Sequence, residues 1–96
     1  MEVITEEMVG EKVKDYLDTM GKVFPNYNAN AEDKNHVINT GTNILMAKFT
    51  SNFSYVGGFG KTILENDLTG AFNKADYINV NFIRFYVMLV QNVSFS

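Results

Sequence analysis

The chain has 96 residues, a net charge of −3 and no cysteine. This length suits one small core, so we predict a single domain over residues 1–96. The absence of cysteine excludes disulfides, thiolate metal sites and cysteine nucleophiles. Acidic residues dominate residues 1–33 and neither half is strongly basic, so no nucleic-acid surface is expected.

The N-terminal sequence and the residue usage bear on the cellular location of the protein and on its source. The segment MEVITEEM is acidic where a secretory signal is basic, and no apolar run reaches the roughly 20 residues of a membrane span. We therefore predict a cytoplasmic protein without a membrane partner. Arg84 is the only arginine and asparagine is abundant, a usage associated with AT-rich genomes such as those of many phages and mobile elements.

Two helices are predicted in the first half of the chain. Thr5 precedes two glutamates and a helical apolar pattern, which indicates a helix over residues 5–23. The Pro25 to Asn30 segment is predicted to be an exposed loop. A second helix begins at Asn30, and its apolar positions recur at steps of three, four and seven that could extend to Tyr55.

Residues 48–64 admit two interpretations. In the preferred one, Gly57-Gly58 ends the second helix by supplying a left-handed residue, and a short third helix opens at Thr62. In the alternative, residues 48–56 form a strand because they are poor helix formers, and the chain turns at Gly57-Gly58 into a β-hairpin. The alternative fold class is therefore α+β.

Residues 76–93 are the most apolar stretch of the chain. Their composition suits strands, but a run of about eighteen residues without Gly or Pro is typical of a helix and too long for an ordinary strand. Asn73 is the predicted N-cap, with Asp76 three positions later. The predicted fold is thus all-α, an antiparallel bundle of three or four helices with this last helix the most buried.

This last helix also predicts assembly. Its apolar circumference exceeds what two or three short neighbours can cover, so we predict a homo-oligomer that buries part of it between subunits. The predicted interface residues are Phe82, Phe85, Tyr86 and Leu89.

The segment GGFGKT at residues 57–62 ends like a phosphate-binding loop. Tyr55 stands where that loop has its first glycine, and too few residues follow for the parallel sheet of a nucleotide hydrolase. The remaining hypothesis is a site for an anionic small molecule, a phosphate or a cyclic nucleotide, near a helix terminus. Its predicted contacts are Gly58, Gly60, Lys61, Thr62 and Arg84.

The sequence shows no catalytic or metal-binding grouping. His36 is the only histidine and is predicted to pair with Glu32, one turn earlier. No serine lies in a G-x-S-x-G turn. We therefore predict a protein without catalytic activity, metal or cofactor, which binds another protein or serves as a structural subunit. The alternative is the small-ligand binder described above.

Overall fold

A computed structural model describes residues 3–23 and 31–93. Within these ranges there are five α-helices, two 3₁₀ helices and no strand. The all-α class is confirmed and the hairpin at Gly57-Gly58 is absent, while the helices are more numerous than predicted. The predicted loop at 25–30 lies outside the described residues. In chain order the elements are α1 (Glu6–Val23), α2 (Ala31–Thr50), a 3₁₀ helix (Phe53–Tyr55), α3 (Gly58–Leu64), α4 (Leu68–Lys74), a second 3₁₀ helix (Asn79–Phe82) and α5 (Ile83–Asn92).

Helix α1 begins as its sequence predicts. The Thr5 hydroxyl oxygen accepts a hydrogen bond from the Met8 amide at 3.2 Å, which satisfies one of the free donors of the first turn. The buried positions of α1 recur at steps of four and three, so one face of the helix packs inward. They are Val9, Val13, Leu17 and Met20.

The end of α2 differs from the prediction. The helix ends at Thr50, and Ser51 is the left-handed residue that follows it, with φ 57°. Gly57 has an extended backbone and is the N-cap of α3. The glycine pair therefore starts a helix instead of ending one, and Thr62 lies inside α3 instead of at its start.

The predicted helical start at Asn73 is also wrong. Asn73 lies within α4, whose N-cap is Asp67; the Asp67 carboxylate accepts from the Gly70 amide at 2.9 Å. Asp76 instead lies in the turn before the second 3₁₀ helix, where its Oδ1 accepts from the amides of Ile78 at 3.0 Å and Asn79 at 2.6 Å. The predicted single helix over 76–93 is thus divided into a 3₁₀ turn and the ten-residue α5.

Helix α5 contacts α1, α2 and α3. Phe85, Tyr86 and Leu89 have no exposed surface, and Phe82 is almost fully buried. The subunit interface assigned to these four residues from sequence does not fit this arrangement, because their side chains are covered within one chain. Lys48 of α2 donates to a backbone carbonyl in the last turn of α5, where a cation is favourable.

The closest approach of α2 to its neighbours is at Gly41, which is buried. A methyl group at this position would lie 2.9 Å from Val13 Cγ1 and 3.0 Å from Leu89 Cδ2. The missing side chain therefore lets α1 and α5 pack closely against α2. Gly10 of α1 is different, because a methyl group there would meet only Thr42 Oγ1, at an ordinary 3.6 Å.

Replacement of each glycine by alanine tests this packing. Overpacking lowers the free energy of unfolding by about 1–3 kcal/mol, and the higher helix propensity of alanine offsets up to about 1 kcal/mol of this loss. We expect Gly41→Ala to lower the free energy of unfolding by about 1 kcal/mol net and Gly10→Ala to raise it by about 0.5–1 kcal/mol. Urea denaturation measures both; equal effects at the two positions would contradict the close approach at Gly41.

One ion pair joins α1 to α2 at the surface. Lys34 Nζ lies 2.6 Å from Asp18 Oδ1, and this hydrogen bond lowers the pKa of the Asp18 carboxyl. Because the pKa of Asp18 is lower in the folded state, its ion pair stabilises the fold at pH values above the unfolded-state pKa of about 4. This stabilisation is lost as the pH falls through the folded-state pKa.

The Lys34–Asp18 pair should contribute little to the free energy of unfolding because it is exposed, but the pH dependence of this contribution has a definite sign. We expect Asp18→Asn to melt at a lower temperature than the wild type at pH 6, and the difference to shrink as pH falls to 3. Asp15→Asn, on the same helix without this partner, is the control. A difference that persists or grows at low pH would contradict a charged Asp18 as its source.

Candidate functional site

A pocket of about 200 Å³ lies between α2 and the segment that leads into α3. Its wall combines polar side chains with apolar ones and contains no charged residue. The lining residues are Thr40, Asn43, Ile44, Tyr55, Val56, Gly57, Phe59, Gly60 and Asn79. A wider depression of about 390 Å³ lies between α1 and the end of α5, but it is more open to solvent.

Local structure explains how the pocket forms. Thr40, Asn43 and Ile44 are spaced at three and four residues on α2, so they share a face. The chain reverses after α2 and passes through the 3₁₀ helix and extended Gly57 into α3, which closes the opposite wall. A methyl group at Gly60 would lie 2.8 Å from Val56 Cβ, so only glycine lets α3 pack this closely on that segment.

Asn79 is the most buried polar side chain of the wall, with 6% of its surface exposed. Its Oδ1 accepts a hydrogen bond from the Tyr86 hydroxyl at 2.6 Å, and its backbone amide donates to Asp76. Its Nδ2 is 3.5 Å from Asp76 Oδ2, at the limit of hydrogen bonding. The amide group is thus held in one orientation.

Tyr86 keeps its proton in this network. Burial raises the pKa of its phenol, a hydrogen bond with Thr40 opposes the rise, and the charge of Asp76 adds to it. The neutral hydroxyl therefore remains the donor to Asn79.

His36 belongs to the outer end of the same network. Its Nε2 lies 3.0 Å from Asp76 Oδ2, with both side chains partly exposed. The predicted pairing with Glu32 is therefore replaced by a tertiary contact that ties α2 to the start of the second 3₁₀ helix. Asp76 Oδ2 lies near both His36 Nε2 and Asn79 Nδ2, while its Oδ1 accepts from the Asn79 backbone amide.

The predicted anion-binding residues are only partly brought together. Gly58 and Lys61 are exposed on α3, and Gly60 lines the pocket. Thr62 is buried, and its hydroxyl donates to the carbonyl of Phe59 at 2.5 Å, so it is not placed to contact an anionic ligand as predicted. Arg84 is exposed on α5.

Sequence reasoning missed most of the pocket. Thr40, Asn43, Tyr55 and Asn79 come from three elements whose proximity is not visible in the sequence. The available signal was Asn79, an amide within the most apolar stretch of the chain. Sequence reasoning also missed Lys74, whose aliphatic stem lies beside Gly58. A methyl group at Gly58 would be 3.2 Å from Lys74 Cδ.

Comparisons with protein-family models, curated proteins and solved structures found no match. In residues 3–23 and 31–93, no helix has both the length and the apolar character needed to cross a membrane. The same ranges hold no cluster of three or more histidine or acidic side chains placed to bind a metal.

The Tyr86 hydroxyl can be tested by removal. Tyr86→Phe leaves Asn79 Oδ1 buried without its donor, so we expect a loss of about 1–3 kcal/mol in the free energy of unfolding. Tyr55→Phe is the matched control. The Tyr55 side chain is half-buried, so removal of its hydroxyl should lower the free energy of unfolding by less than about 0.5 kcal/mol. Urea denaturation of the two variants compares them, and equal losses would show that the buried bond contributes nothing particular.

Proposed function

We propose that this chain is a non-catalytic interaction protein that self-associates through one face of α4, called here the α4 surface and defined by Leu68 and Phe72. The observation that carries the proposal is their exposure. The two large apolar side chains are 53% and 56% exposed and lie one turn apart. Adjacent exposed apolar residues on a folded helix are typical of a contact surface.

The helix that presents this surface has a defined position. It is capped by Asp67, and it packs mainly on α3. Ala71 is its only buried residue. Leu68 and Phe72 do not belong to the hydrophobic core, so their exposed surface is available to a partner.

A second copy is the partner that the spacing of these two side chains favours. In an antiparallel pair around a two-fold axis, each Leu68 would meet the opposite Phe72, so the surface is complementary to itself.

Light scattering after size exclusion tests this proposal. At tens of micromolar, we expect twice the 10.8 kDa mass of the chain. The double variant Leu68→Ser, Phe72→Ser should be monomeric with little change in melting temperature, since both side chains are already half exposed. Asn73→Ser, on an exposed position of the same helix, is the control and should remain dimeric.

A wild type that stays monomeric would contradict self-association, and a dimer unaffected by the serine variants would place the interface elsewhere.

A small-ligand binder is the second candidate, and the pocket beside Gly57 and Gly60 favours it. The pocket adjoins the segment assigned to an anion from sequence, and Lys61 follows its lining residue Gly60. Lys61 and Lys74 supply the exposed positive charge of α3 and α4 that a phosphate would need, while Thr62 does not contribute.

A further inference from the structure

We infer that the pocket between α2 and α3 binds a small, neutral, planar molecule with an amide-type edge, of the chemical class of the nucleobases and nicotinamide. The inference rests on the proposal that this pocket holds a small ligand, replaces the anion suggested by the sequence with a neutral molecule, and is independent of self-association through α4.

The size of the pocket limits the ligand to one or two rings. Sites for drug-sized molecules occupy about 300–1,000 Å³. The volume here is about 200 Å³. A whole nucleotide is too large to be enclosed, but a single planar heterocycle fits.

The lining excludes a charged group from the interior. None of the nine lining residues carries a formal charge. Asp76 lies behind Asn79, and its carboxylate is engaged by two backbone amides and by His36. A charged ligand would lose its hydration without an opposite charge in return, so a neutral one is favoured.

The polar groups of the pocket match an amide-type edge. Asn79 Oδ1 is taken by Tyr86, which leaves its Nδ2 group with at least one N–H not used by the described residues. The Asn43 amide makes no hydrogen bond within the described ranges and offers both a donor and an acceptor. Asparagine pairs in this two-point manner with the edge of adenine.

Aromatic and apolar side chains supply the rest of the wall. Tyr55 and Phe59 both line the pocket, and Phe59 is held edge-on against Tyr86 at 5.5 Å between ring centroids. Planar heterocycles stack on aromatic rings independently of their exact substituents. The wall thus favours a flat ligand over a flexible polar one.

Titration followed by amide NMR tests the inference on the full chain. The probes are adenine, uracil and nicotinamide, with benzoate as the charged aromatic comparison. We expect at least one neutral probe to bind and to shift the signals of Asn43, Gly57 and Gly60, while benzoate binds at least tenfold more weakly.

A matched pair of variants assigns the site. Asn43→Leu removes the amide at nearly constant size and should weaken binding of that probe at least tenfold. Asn39→Leu makes the same change one turn earlier on α2, at an exposed position that does not line the pocket, and should bind as the wild type does. Melting temperatures verify that both variants fold.

Three results would overturn the inference. They are the absence of binding by all three neutral probes at millimolar concentration, binding of benzoate as tight as theirs, and equal affinity in Asn43→Leu and Asn39→Leu. The mass measurement on the α4 surface is separate, so failure of either proposal is recognised without the other.

Discussion

Burial of α5 against α2 is the constraint on which the rest of the structure depends. Phe85, Tyr86 and Leu89 are fully covered although α5 has only ten residues. Because Gly41 of α2 has no side chain, both Leu89 of α5 and Val13 of α1 pack closely against it. Helices α1, α2 and α3 therefore cover a segment whose apolar character had suggested a second subunit.

The placement of Tyr86 in this core explains the pocket. Tyr86 has no exposed surface, so its hydroxyl requires a hydrogen-bond partner inside the fold, and Asn79 provides one. Asp76 holds the amide of Asn79 at the start of the second 3₁₀ helix, and the Asn79 side chain is there close enough to Tyr86 to accept this bond. A requirement of the core thus positions a polar amide at the base of a surface pocket.

The two proposed binding regions differ in what the fold requires of them. The pocket wall shares Ile44 and Asn79 with the core or its network, so part of it would exist without any ligand. The α4 surface has no such role, because α4 buries only Ala71 and leaves Leu68 and Phe72 exposed. For this reason self-association is the first proposal and ligand binding the second.

The sequence by itself determined the helical class and the start of α1 at Thr5. These depend on local periodicity and on hydroxyl capping, which neighbouring residues decide. Tertiary structure alone decided where the core ended and the surface began. Phe85 and Leu68 are both apolar residues of predicted helices, yet Phe85 has no exposed surface and Leu68 is 53% exposed. Likewise, His36 meets Asp76 and not Glu32, and four pocket residues come together from separate elements, because contacts between distant segments leave no periodic signal in the chain.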